Sequence, residues 1–224
     1  MTNRDYNYQK PRLDLKEDEK YTADQARAFW SSPSKVDSLD VGENNPADYL
    51  TFNDGRTEML FDKVVELLPD RRSSILELGP NAGRNLGFLY EQGYHNLHGI
   101  EINQEAVNLM SKKYPEVANN VQVDSIERAI AGLQDNEFDL VFSMAVLEHV
   151  STESDFIFSE IARTAKRYII SIEDEVTSWS ERHFPRNYKE VFEKGAWIET
   201  FAENCETFQC LDDRFIFRVF ECGD

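Results

Sequence analysis

The sequence predicts one α/β domain on a mainly parallel sheet (57–224), preceded by a helical N-terminal extension (1–56). Three observations predict it. From Ser73 onward, short apolar runs alternate with amphipathic helical stretches, which is the rhythm of βαβ units. The first of these runs passes through a glycine-containing turn straight into a helix. The tail then offers two consecutive apolar runs with no helix between them, so they form an antiparallel pair.

The elements follow in order. Residues 1–20 are polar and aperiodic, and helix 21–30 starts at an N-cap, Thr22, and ends before Ser31-Ser32-Pro33. Pro33, Gly42, Asn44-Asn45-Pro46 and Asp54-Gly55 are turn signals around a short helical stretch at 47–52. In 57–68, Leu60, Phe61, Val64, Val65, Leu67 and Leu68 recur at helical spacing until Pro69. Strands are expected at 74–78, 97–102, 120–124, 138–144 and 168–172, with helices at 84–92, 104–113, 126–133 and 153–166. Gly93 stands where a helix C-cap is needed. A helix at 187–194, ended by Gly195, precedes the tail strands 206–210 and 214–221.

Of 224 residues, 41% are hydrophobic and 12% aromatic, enough for a sizeable core. Lys and Arg number 24 against 42 Asp and Glu, a net charge of −18. That balance argues against a nucleic-acid face, which depends on cations that displace counterions. It welcomes a cationic ligand. No run approaches the ~18 apolar residues of a membrane span, and no leader pattern opens the chain. Cys205, Cys210 and Cys222 lack metal-type spacing, so the expectation is a reduced, cytoplasmic protein with neither membrane nor nucleic acid as partner.

The chemistry gathers at strand ends. The first strand runs into Glu77-Leu78-Gly79-Pro80-Asn81-Ala82-Gly83-Arg84-Asn85. Gly79 and Gly83 permit positive φ and close approach of a ligand to the backbone. In open parallel sheets, ligands settle beyond the carboxyl ends of the strands. Glu101 ends the second strand, where a carboxylate can accept two hydrogen bonds from a ribose diol. The third strand ends in Asp124-Ser125, and the fourth in Ser143-Met144 followed by Ala145-Val146-Leu147-Glu148-His149. A dinucleotide site would need glycine where Asn81 and Arg84 stand, which disfavours a nicotinamide or flavin enzyme.

Over residues 73–172 these strand ends resemble the class I S-adenosylmethionine-dependent methyltransferases, in the small-molecule branch whose loop reads E/D-x-G-x-G-x-G. The resemblance implies a Rossmann-like seven-stranded sheet, mainly parallel with its last strand antiparallel, a helical N-terminal lid, and S-adenosyl-L-methionine as cofactor. It implies that Glu77, Gly79, Pro80, Asn81, Gly83 and Asn85 hold the methionine part, and Glu101, with Ile102 beside it, the ribose. Asp124 would meet the adenine amine, Ser125 and Ile126 would line the base, and Ser143 would lie under the cofactor. Asn81 departs from the family's second glycine, though Asn tolerates left-handed backbone best among the other residues.

The implied reaction is methyl transfer to the oxygen or nitrogen of a small-molecule acceptor. Two rival readings are a protein or peptide methyltransferase and a catalytically silent cofactor-binding regulatory domain. His149, which titrates near neutral pH, is the leading base candidate, with Glu148 beside it; the pair could equally order its loop. Some relatives hold a divalent ion with E-x-x-E-H and a later His. Here Ala145 fills the first Glu slot, leaving Glu148, His149 and His183, and no metal is expected. Glu173, Asp174 and Glu175 are either a receptor for a cationic acceptor or a solvated face. The N-terminal helix with Tyr21, Phe29 and Trp30 is either a lid over the cofactor or an added helix in ordinary hydrophobic packing, and Arg56 could pair with the cofactor carboxylate. Trp179, Phe184, Tyr188 and Trp197 line an acceptor pocket or belong to the core.

Overall fold

The computed structural model describes residues 19–32, 45–51, 55–176, 180–205 and 214–223. Helix α1 (Ala23–Trp30) begins at the expected cap: Thr22 Oγ1 accepts the Gln25 N–H at 3.3 Å, and the Gln25 side chain accepts the Thr22 N–H at 2.9 Å. α2 (Pro46–Thr51) and α3 (Arg56–Leu67) follow, the latter burying Leu60 and Val64. The alternating part is β1 (Ile75–Leu78), α4 (Arg84–Glu91), β2 (Leu97–Glu101), α5 (Gln104–Lys113), α6 (Pro115–Ala118), β3 (Val121–Val123), α7 (Ile126–Ala129) and β4 (Phe138–Met144). α8 (Ile157–Thr164), β5 (Ala165–Asp174), α9 (Tyr188–Phe192), β6 (Trp197–Asn204) and β7 (Phe215–Cys222) complete it.

The seven strands lie in the order β3-β2-β1-β4-β5-β7-β6. β1 to β5 pair in parallel, and β7 runs antiparallel to both β5 and β6. The chain therefore travels outward from β1 through β2 and β3, then returns to β4 on the other side of β1. That reversal is the switch point where open α/β sheets take ligands.

Side chains alternate between two core clusters, as period-2 strands buried on both faces require. Ile75, Leu140, Phe142, Ile170 and Val219 pack on one face with Leu60, Val64 and Leu86. Leu76, Leu78, Val141, Ile169 and Phe220 pack on the other with Ile157, Ile161 and Tyr188.

Three expectations need correction. The helix expected at 153–166 is α8 preceded by a 3₁₀ turn at Thr152–Ser154, and it stops at Thr164 because β5 starts one residue later. β5 also runs past 172 to Asp174, since Glu173 and Asp174 are buried strand residues and not loop. In the tail, 197–204 forms β6, whose alternation is blurred by an exposed Ile198 and a register shift between Glu199 and Phe201. The strand expected at 206–210 lies outside the described residues.

Candidate cofactor and acceptor site

The turn after β1 is carried by Gly79 (φ +68°), Asn81 (φ +51°) and Gly83 (φ +83°). Asn81 adopts the left-handed backbone its slot demands, and its Oδ1 accepts the Ala82 N–H at 2.7 Å. A Cβ on Gly79 would stand 2.6 Å from Val146 Cγ2, so this glycine also admits the loop that follows β4. At the tip of β2, buried Glu101 accepts the Asn81 N–H at 2.7 Å on one oxygen and the Asn103 N–H at 2.8 Å on the other. The carboxylate joins two strand tips, and each oxygen keeps a second acceptor direction for a hydroxyl.

Glu77 points inward from β1 and is 2% exposed. Its Oε1 accepts from Asn85 Nδ2 at 2.7 Å, and Asn85 Oδ1 accepts from Thr57 Oγ1 at 3.0 Å. Its Oε2 is buried without a partner. Burial pushes this carboxyl up to about 7, against the pull of the Asn85 bond and the Arg84 charge.

Beyond β2 and β3 lies a cavity of about 390 Å³. Ile102, Val123, Asp124 and Ser125 form one side, and Arg27 and Ala28 of α1 with its C-cap Ser31 form the other. α1 is fastened there by Arg27 to Glu127 at 3.1 Å and by the Ala23 N–H to Glu153 at 2.8 Å. Asp124 accepts the Ser125 N–H at 2.8 Å and pairs with Arg128 at 3.7 Å. Ser125 Oγ is buried with no partner, an orphaned polar atom on a cavity wall. Ile126, expected beside it, belongs to the core cluster beneath.

Past β4, two buried carboxylates clasp each other's segment. Glu173 accepts the Ser143 hydroxyl at 2.7 Å, the Val146 N–H at 2.9 Å and the Glu148 N–H at 3.3 Å. Glu148 in return accepts the Asp174 N–H at 2.5 Å. Burial raises both carboxyls, Glu173 to about 7 and Glu148 well above its usual range, and their mutual repulsion adds to the rise at Glu148. His149 Nδ1 donates to the Arg182 carbonyl at 3.2 Å, and its Nε2 lies 3.5 Å from Glu148 Oε1. Burial lowers the His149 pKa to about 4, so the ring is neutral at pH 7. Trp30 of α1 covers it at 4.4 Å between ring centroids, and His183 approaches it at 4.6 Å.

A family described as a methyltransferase domain matches residues 76–168, the stretch that supplies the Gly79 turn, the tips of β2 and β3, and the Glu148-His149 loop. That stretch is similar to the class I S-adenosylmethionine-dependent methyltransferases. The chain is 26% identical over 143 residues to the O-antigen chain terminator bifunctional methyltransferase/kinase WbdD of Escherichia coli. That match covers 59% of this chain and 20% of the relative, so the chain spans about a fifth of that protein's length. An S-adenosylmethionine dependent methyltransferase from Mesorhizobium loti superposes with a TM-score of 0.59 at 11% identity, covering 75% of this chain and 99% of that one. The [4+2]-cyclase SpnF superposes with a TM-score of 0.65 at 15% identity, covering 91% and 97%. At such identities these likenesses show the fold. The methyltransferase fold implies S-adenosyl-L-methionine as the cofactor.

Against the family's pattern, Glu77, Gly79, Pro80, Asn81, Gly83, Asn85 and Glu101 meet at one loop, and Ile102, Asp124 and Ser125 reach the cavity wall. Ser143 turns its hydroxyl to Glu173. Arg56 opens α3, Trp179 lies outside the described residues, and Phe184, Tyr188 and Trp197 are buried, Tyr188 and Trp197 within a core cluster. Sequence reasoning missed Glu173 as the anchor of the post-β4 loop. Its period-2 relation to buried Ser171 was the available signal. It also missed Arg27, Ala28 and Ser31 as cavity residues.

Proposed function

We propose that this chain transfers the methyl group of S-adenosyl-L-methionine to a small-molecule acceptor. The observation that carries the reading is the cavity between α1 and the tips of β2 and β3, with the partnerless Ser125 Oγ on its wall, together with a second buried partnerless atom, Glu77 Oε2, at the strand that enters the Gly79 turn. Those atoms fit the cofactor's ends: a carboxylate for an ammonium group, a hydroxyl for a base edge. Glu77, Gly79, Pro80, Asn81, Gly83 and Asn85 would hold the amino-acid part, Glu101 and Ile102 the sugar, and Asp124 and Ser125 the base. When bound, the cofactor supplies a methyl group on a positively charged sulfur.

The residues' own work is placement and exclusion of water, which supply most of the acceleration of such a displacement. α1 covers the cavity, and the Glu148–Glu173 clasp fixes the loop beside the acceptor end. A base is needed only when the acceptor arrives protonated. With a pKa of about 4, His149 accepts a proton weakly, which favours acceptors that already present a lone pair. The two described free thiols, Cys205 and Cys222, suit the reducing cytoplasm read from the sequence. No described helix is long and apolar enough to cross a membrane.

A second reading, cofactor binding without methyl transfer, is favoured by the cyclase that shares this fold. Calorimetry with S-adenosylmethionine and its demethylated product tests both. One equivalent of each should bind, and Glu101→Ala should weaken both by about 1–3 kcal/mol. Turnover with an acceptor panel supports the first reading, and binding without turnover supports the second. Unchanged affinity in Glu101→Ala removes the sugar assignment.

A further inference from the structure

Trp30 is the last residue of α1, and its indole stands against the acceptor end. The ring lies 4.4 Å from the His149 ring and 5.0 Å from that of Phe29, centroid to centroid. Its Nε1–H is buried and has no hydrogen-bond partner. An indole nitrogen donates and cannot accept, so whatever meets it must bring a lone pair. A buried donor left unmet costs free energy, which is why folded proteins keep few of them. From this donor and the charges gathered round it we infer that Trp30 is a specificity-determining residue of the acceptor subsite. There it receives an anionic oxygen of the acceptor, from a carboxylate or a phosphate. The inference rests on the methyltransferase reading and names the chemical class of its acceptor.

The charges there have the sign that an anion needs. Lys20, ahead of α1, donates to the His183 carbonyl. Arg182 places its guanidinium 4.0 Å from the Phe29 ring, whose other neighbour is Trp30. Burial lowers the pKa of His183, and the cations Arg182, Lys20 and Arg214 lower it further. The acids nearby are engaged. Asp174 pairs with Arg214 at 3.6 Å, and Glu175 pairs with Arg218 at 2.7 Å. Glu173 accepts from Ser143 and the post-β4 loop, and burial favours the uncharged forms of Glu173 and Glu148. The run Glu173-Asp174-Glu175 is therefore spent on the protein's own groups and leaves no receptor for a cationic acceptor. This corner differs from the surface as a whole, which belongs to a chain of charge −18.

A hydrogen bond from the indole to a charged oxygen is shorter and stronger than one to a neutral oxygen. An ammonium offers the indole no lone pair and meets Arg182 and Lys20 as like charges. Because Nε1 is buried, the acceptor's oxygen reaches it while α1 is lifted, and the helix then settles over it. The holds to be released are few and polar. They include the Ala23 N–H on Glu153 at 2.8 Å, the Tyr21 N–H on the Glu181 carbonyl at 2.9 Å, and the Ser151 hydroxyl on the Tyr21 carbonyl at 3.3 Å.

The test is nuclear magnetic resonance of the full chain labelled with nitrogen-15 at tryptophan, titrated separately with acetate, inorganic phosphate and methylammonium. Trp30→Phe, which keeps an aromatic ring against His149 and removes the N–H, assigns the Trp30 signal by its loss. We expect acetate or phosphate to move the Trp30 Nε1–H signal downfield and saturably, with Trp197 in the core as an unmoved control. Whichever anion binds more tightly names the acid that the acceptor carries. The shift should persist after the demethylated cofactor is added. Followed at the His149 ring, anion affinity in Trp30→Phe, shown folded by circular dichroism, should fall at least about fivefold. No saturable shift with either anion overturns the proposal, and so does an equal response to methylammonium. Abolition of the shift by the cofactor, or unchanged anion affinity in the folded variant, overturns it too. Calorimetric binding of the demethylated cofactor by the wild type reports on the methyltransferase reading separately.

Discussion

A carboxyl held at about 7 inside β1 changes its charge in the range where proteins are usually handled. Glu77 has a folded pKa raised above its ordinary 4.5, so folding favours its protonated form. The stability that this contributes is complete below about 4.5 and is lost as pH rises through about 7. By linkage the loss amounts to about 3 kcal/mol. Glu77→Gln keeps an acceptor for Asn85 and removes the titration. Denaturant unfolding should therefore show the variant gaining about 2.5 kcal/mol on the wild type between pH 5 and pH 8. Glu101, Glu148 and Glu173 titrate in both proteins and cancel in that difference. A constant difference across this range would show that water reaches the carboxylate. At this scale the sequence was readable where residue type is dictated by backbone: Gly79, Asn81 and Gly83 all take positive φ. It was unreadable at Glu173, because a Glu-Asp-Glu run looks solvated until pairing with β7 and the N–H groups of the post-β4 loop enclose it.

Helix α1 is the element whose role reaches furthest beyond its own residues. Its cap at Thr22 and its apolar Ala26 and Phe29 were legible, since capping and 3.6-residue spacing are local properties. Its position over the cavity was not, because it depends on partners 100 and 130 residues away, Glu127 through Arg27 and Glu153 through Ala23. Most of these attachments are polar and partly exposed, so α1 should open at lower free energy than the sheet. Hydrogen exchange of the chain alone should show α1 amides exchanging well before those of β1 and β4. Adding the demethylated cofactor should slow α1 by at least about tenfold while leaving β6 and β7 unaffected, because ligand binding stabilises what it touches. Equal exchange of α1 with and without ligand would contradict its place as the cavity's cover. β6 marks the opposite limit of legibility. A shift in register between Glu199 and Phe201 breaks its alternation, and only pairing with β7 makes it a strand.

On the scale of the whole molecule, strand order and net charge act on the same ligand. The reversal between β1 and β4 was implied by alternating elements with short connections, and it fixes where the cavity opens. The charge of −18 was open to direct counting and sets the field at that opening. S-adenosylmethionine carries a sulfonium, an ammonium and a carboxylate, a net charge of +1. Its demethylated product lacks the sulfonium charge and is neutral overall. A negative field therefore favours the donor over the product, and salt weakens that preference as the screening length falls from about 30 Å at 0.01 M to about 3 Å at 1 M. Calorimetry between 0.05 and 0.5 M NaCl should show donor affinity falling several-fold with product affinity nearly constant. The proposed short-range contacts at Glu77 and Glu101 would be little screened, because both carboxylates are buried. A donor-to-product affinity ratio that does not change with salt would mean that these local groups, and not the surface acids, govern discrimination.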